Sequence, residues 1–168
     1  MTAKPLEKRT PWTILRENAL QIGMYLLGTV LVGLLWWPGG LIYLAYSVAS
    51  NVMYMAWVCP YCGHYVLETC PAGFDVLSGK RFKAQPGKTF GQQYRSRSWV
   101  LYPGWFVPPV VGLYLSITSF SWLTLGLVVV FCLDAFWLLP ETSKQHCENC
   151  ETVDCPRYPR NRKPASAA

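Results

Sequence analysis

The chain has 168 residues, of which 52% are apolar, 15% aromatic and only 14% charged. A soluble domain carries about 25% charged residues, so this composition excludes an ordinary soluble globular domain and a disordered chain alike. The net charge of +6 and pI near 9.0 superficially point to nucleic acid. The positions of the charges exclude it. All fifteen Lys and Arg fall within 4–16, 80–97 and 144–163, and residues 17–79 and 98–143 hold none. No basic segment is long enough to build the folded, aromatic-lined basic face that nucleic acid requires.

In chain order, residues 1–18 form a basic segment with Trp12 on it, expected to lie along the inner membrane surface as an interfacial helix. A helix needs roughly 20 mainly apolar residues to cross a bilayer. Such a span runs from Ala19 to Trp37 and ends at Pro38-Gly39-Gly40, and a second runs from Leu41 to Val58, so that 19–58 is one transmembrane hairpin. Residues 59–98 are a cysteine-rich basic loop. The second hairpin, 99–139, comprises Trp99 to Thr118, the turn Ser119-Phe120-Ser121, and Trp122 to Leu139, closed by Pro140. Pro103, Pro108 and Pro109 are expected to kink or delay the third span. Residues 140–168 are a second cysteine-rich segment with a basic tail, expected to be disordered.

The fold class is therefore all-α and integral to the membrane: four spans as two antiparallel hairpins, with a cysteine-rich, metal-binding region on the cytoplasmic side. The positive-inside rule sets that orientation. The N-terminus, the 59–97 loop and the C-terminal tail hold every basic residue, and the two hairpin turns hold none. Trp36, Trp37 and Trp122 then mark the outer interface, and Trp57, Trp99, Trp105 and Trp137 the inner one. A cleaved signal peptide is disfavoured, because the first apolar run continues through two tryptophans into a second span. The expected location is the inner (cytoplasmic) membrane, with both termini cytoplasmic and the basic clusters against anionic lipid.

Six of the seven cysteines follow the hairpins. After the first come Cys59-Pro60-Tyr61-Cys62, His64 and Cys70-Pro71; after the second come His146, Cys147, Cys150 and Cys155-Pro156. Cytoplasmic thiols stay reduced, so disulfides are disfavoured and metal or redox chemistry is favoured. Two residues between cysteines let both sulfurs address one centre while backbone amides point at the thiolates. The candidate ligands are Cys59, Cys62, Cys70, Cys147, Cys150 and Cys155, with His64 and His146 as further candidates. Zinc and an iron–sulfur cluster both remain open. Cys59-Pro-Tyr-Cys62-Gly63 looks like the knuckle of zinc ribbons and rubredoxins, and a zinc held by Cys59, Cys62, Cys147 and Cys150 would staple the hairpins. Two zinc sites, each of three cysteines and one histidine, also balance the ligands, although adjacent His146 and Cys147 would rarely share an ion. Six thiolates exceed one zinc site, and Cys-Pro, which closes ferredoxin cluster motifs, occurs twice. Cys-Pro-Tyr-Cys is also the glutaredoxin tetrapeptide, but the 59–97 loop is too small for that domain.

Four spans, cytoplasmic ends and Cys-Pro motifs after spans two and four resemble the membrane ferredoxin-like proteins of periplasmic nitrate and nitrous-oxide reductase systems. The segment Glu68-Thr69-Cys70-Pro71-Ala72-Gly73 is similar to their Cys-Pro-x-Gly stretch. The resemblance implies electron transfer between quinols and iron–sulfur centres. The chain departs from the family in the intervals Cys62 to Cys70 and Cys150 to Cys155, where seven and four residues replace three, and in lacking the tandem ferredoxin domain.

Asp134 is the one acid deep in a span, within reach of the inner interface, and an acid there is a functional candidate. Asn51 is expected to hydrogen-bond between helices, and Gly28, Gly33, Ala45 and Ala49 to permit close helix contacts. Met24, Met53, Met55 and Cys132 form no regular ladder for a soft metal. The motifs of hydrolases, kinases and zinc proteases do not occur, and the spans lack histidines for haem. The expected function is an iron–sulfur electron-transfer subunit exchanging electrons with a quinone or partner complex, without catalytic residues of its own. Alternatives are a zinc-binding accessory or assembly subunit and a soft-metal transporter. Expected partners are the lipid bilayer and other membrane or cytoplasmic subunits.

Overall fold

A computed structural model describes residues 11–66, 70, 72–78 and 81–147, without the side chains of residues 13, 66 and 144–147. Helix α1 runs over Pro11–Leu35 and α2 over Trp37–Trp57, with only Trp36 extended between them at φ −161° and ψ 114°. Residues 11–18 thus extend the helix of the first span, where a separate interfacial segment is expected from sequence.

The hairpin tip corrects a second expectation. Pro38-Gly39-Gly40 is the first turn of α2, and the chain reverses at Trp36. Proline fits a first turn because its missing N–H has no partner there in any helix. The glycines serve packing. A Cβ on Gly40 would stand 2.8 Å from the Thr29 carbonyl oxygen and 3.0 Å from Gly33 Cα, so the two backbones touch at this point. Lower down, the space beside Gly28 is taken by the Tyr43 ring, whose Oη would lie 2.5 Å from an added Cβ.

After α2 come a short turn at Cys59–Tyr61, α3 at Gly63–Val66, α4 at Phe74–Leu77 and α5 at Phe90–Arg97. Thr89 caps α5: its hydroxyl accepts from the Gln92 N–H, and the Gln92 side chain accepts from the Thr89 N–H. A tight turn at Ser98–Leu101 leads into α6 at Tyr102–Thr118, which starts at Pro103's neighbour and carries Pro108 and Pro109 inside it. Helix α7 covers Trp122–Leu133, a π-helical turn Asp134–Leu138 follows, and α8 covers Leu139–Cys147. Pro140 is expected from sequence to end the fourth span, yet the helix passes through it. The wider turn supplies the reason. Leu139 N–H bonds to the Asp134 carbonyl five residues back, and this register relieves the clash a proline ring makes in an α-helix.

Helix α1 packs against α2, α6 and α7. The buried contact is Met24 and Leu31 of α1 against Phe131 and Ala135. Polar side chains tie the helices where no water competes. Tyr43 Oη donates to the Gly104 carbonyl at 2.7 Å, and Tyr46 Oη to that of Val100 at 2.7 Å. Asn51 bridges α2 to α1: its Nδ2 donates to Tyr25 Oη at 2.7 Å, and its Oδ1 accepts from Gln21 Nε2 at 2.9 Å.

Burial is inverted relative to a soluble domain. Ser47, Ser50, Thr124 and Asp134 are buried, while Leu26, Ile42, Val110, Ile117, Leu123 and Val130 face outward. Four helical stretches, Ile14–Leu35, Trp37–Tyr61, Phe90–Thr118 and Trp122–Ser143, are long and apolar enough to cross a membrane. The outward apolar surface suits lipid, and away from its ends and prolines a helix satisfies its backbone polar groups internally. The chain is a multi-pass membrane protein, all-helical among the described residues.

Candidate metal centre

Pro60 prevents α2 from continuing, and the chain tightens into a turn. Tyr61 N–H bonds to the Val58 carbonyl at 3.2 Å, and Cys62 N–H to that of Cys59 at 2.9 Å. This fold-back places Cys59 in the buried region and leaves Cys62 half-exposed. A second turn forms around Cys70. Gly73 N–H bonds to the Cys70 carbonyl at 3.0 Å, with Gly73 left-handed at φ +68°. Any side chain at Gly73 would strike Ile14 of α1, with its Cγ2 at 2.6 Å from an added Cβ. Asn18 holds the same turn from α1, its Nδ2 donating to the Ala72 carbonyl at 3.1 Å. Tyr65 and Ser78 close the loop through their hydroxyls at 2.5 Å. The loop is thereby seated on the end of α1.

The bond from Cys62 N–H to the Cys59 carbonyl puts these two cysteines on one turn, and Cys70 heads the next. None of Cys59, Cys62, Cys70 or Cys132 is in a disulfide. Around Cys70 the backbone N–H groups of Phe74, Ala72 and Asp75 are directed at the sulfur. Burial pushes the Cys70 thiol up from its ordinary range, and the nearby Asp75 charge pushes the same way; the three N–H groups act against both. Such N–H donors stabilise a thiolate, the form that ligates metals.

The arrangement is open. Among the described residues no group of three or more His, Cys, Asp or Glu side chains is placed to hold a metal ion as it stands. His64 lies in α3, two residues beyond Cys62. His146 and Cys147 are on the last turn of α8, but their side chains are outside the described residues, as are Cys150 and Cys155 altogether. The second set of expected ligands therefore has no geometry to compare with the first. Cys132 lies on α7 within the fourth span.

Asp75 escapes a reading confined to Cys and His. It is 5% exposed, and its Oδ1 is buried without a hydrogen-bond partner. The available signal is that Glu68 and Asp75 are the acids of an otherwise basic 59–98 loop, with Asp75 five residues after Cys70. Beside the rings at this end, the Arg97 guanidinium sits over Trp57 at 5.0 Å.

The likeness to membrane ferredoxin-like proteins rests on the Cys-Pro segments and the number of spans. No family model, curated protein or solved structure matches the chain.

Proposed function

We propose that the chain is a membrane-embedded metal-centre protein, holding an iron–sulfur centre on its cysteines at the cytoplasmic face and exchanging electrons with a quinone or partner complex. The observation that carries the reading is that Cys59 and Cys62 sit on one tight turn at the end of α2 and Cys70 on a second turn held to α1, none of the three in a disulfide. A cluster bound there supplies one-electron chemistry, and amide donors to its sulfurs tune the potential. The chain's own groups set the surroundings. Cys59 is buried against the end of α2 and keeps water away, while half-exposed Cys62 faces the route by which an electron enters or leaves. The second cysteine set follows the fourth span and, with an even number of crossings, emerges on the same face. The fifteen basic residues, all outside the two hairpin turns, support a cytoplasmic placement of that face.

One observation favours zinc as a second reading. The loop is already pinned to α1 through Gly73, Ile14 and Asn18, which is the fixed setting of a structural ion stapling an accessory subunit. Full-length protein purified anaerobically in detergent separates the two. Electron transfer requires iron with acid-labile sulfide and a broad visible absorbance that bleaches on reduction. A colourless protein with stoichiometric zinc and no iron would replace it with the structural reading.

A further inference from the structure

We infer that Asp134 is a proton-binding site inside the bundle, a carboxylic acid that holds its proton against α1 and exchanges it through movement of the π-helical turn it begins. The inference is independent of any metal on the cysteines.

Three observations converge on this residue. The first is depth. The fourth span continues through Pro140 to Ser143, so Asp134 stands about 18 Å along the helix from Trp122 and about 14 Å from Ser143. A helix ended at Pro140 would leave the acid near the inner interface, whereas the longer one sets it towards the middle of the span.

The second is isolation. Asp134 is 7% exposed, and its Oδ1 is buried without a hydrogen-bond partner among the described residues. Its surroundings are apolar. Phe131 and Ala135 beside it pack on Met24 and Leu31 of α1, and Oδ2 lies 3.6 Å from where a Cβ on Gly23 would stand. Among the described side chains, the titratable groups on the packed elements are Arg16, Glu17 and Tyr25 of α1, Tyr102 and Tyr114 of α6, Cys132 of α7 and Glu141 of α8. None of them makes an ion pair or hydrogen bond with Asp134. An ionised carboxylate here would be an unpaired charge within the membrane, whereas the neutral acid is tolerated.

The third is the turn itself. Leu139 N–H bonds to the Asp134 carbonyl five residues back, and such wide turns recur at functional sites because they hold one residue in excess of the α-helical register. Shifting that excess along the helix rotates the side chains it passes by about 100°, which carries Asp134 off the face of α1. The O–H bond then breaks, its electron pair stays on the carboxylate, and the proton passes to water admitted from the α8 end. Pro140 restrains the shift, since its ring opposes the α-helical register at this point.

The test is infrared difference spectroscopy of full-length protein in lipid nanodiscs, wild type minus Asp134→Asn. It is run at mildly alkaline pH, where exposed carboxyls are ionised. The result expected is the C=O stretch of one protonated carboxylic acid, lost in Asp134→Asn and moved to lower frequency as O–H becomes O–D in heavy water. Acids elsewhere in the chain cancel in the difference. Pro140→Ala should hasten the isotope shift. If Asp134→Asn fails to fold, Asp134→Glu keeps the test open, because the acid band should persist at a displaced frequency. Carboxylate bands in place of the acid band would overturn the inference, since Asp134 would then be ionised. An acid band that never shifts in heavy water would overturn it as well, leaving Asp134 a packing role alone. An unchanged rate in Pro140→Ala would overturn the part given to the turn.

Discussion

Single residues settle how closely the helices approach. Gly28 gives its space to the Tyr43 ring, and Tyr43 in turn reaches the Gly104 carbonyl, so one small residue lets α2 bond to α6 beside α1. Gly28→Ala should cost about 1–3 kcal/mol as overpacking, seen as a lower SDS midpoint for loss of helicity in mixed micelles; an unchanged midpoint would refute the contact. Tyr43→Phe removes only the hydroxyl and should cost less, about 0.6 kcal/mol and at most about 1.7. Gly28 and Gly33 are legible in sequence as small residues at a helix contact. Gly40 is not, because beside Pro38 and Gly39 it reads as a turn, and only the partner backbone at Thr29 and Gly33 reveals it as a contact. At the cysteine loop, Gly73→Ala combines a left-handed backbone penalty of about 1–2 kcal/mol with a clash against Ile14. Cys70 should then alkylate faster in metal-free protein than it does in the parent, and an equal rate would show that the turn does not depend on this glycine.

At the scale of elements, existence and number are legible in the sequence, whereas ends are not. The four spans follow from apolar length alone. Their termini depend on backbone events that composition does not record: reversal at the single residue Trp36, and the π-helical turn that carries the fourth helix through Pro140. That turn begins at Asp134, which is buried on α1's side, with Oδ2 3.6 Å from where a Cβ on Gly23 would stand. Its Oδ1 has no hydrogen-bond partner among the described residues. If Asp134 serves only packing, Asp134→Leu relieves an unsatisfied group and should stabilise the bundle by about 1–3 kcal/mol, raising the SDS midpoint. A lowered midpoint would show that the carboxyl has a structural partner. The turn at Cys59–Tyr61 is legible in the sequence from Pro60, which stops α2 there. Its depth of burial and the position of Asp75 were not, since both arise from the loop settling onto α1.

For the whole molecule, the basic residues carry topology. The proposed orientation puts the segment around residue 87 and the end of α8 in the cytoplasm and the turn at Phe120 outside. Alkaline phosphatase fused after Phe120 should be active and the same enzyme fused after Gly87 inactive; the reverse pattern would invert the protein and move its thiols to an oxidising compartment. In that compartment disulfides would displace metal as the role of the cysteines, so topology and chemistry stand together. The first cysteine loop is proposed to hold metal. Its most direct test is the metal bound per chain in anaerobically purified full-length protein, set against a variant with Cys59, Cys62 and Cys70 all changed to Ser. The prediction is stoichiometric iron or zinc in the parent and loss of that metal in a variant that keeps its helicity. Equal metal in the two proteins, or none in the parent, would contradict it.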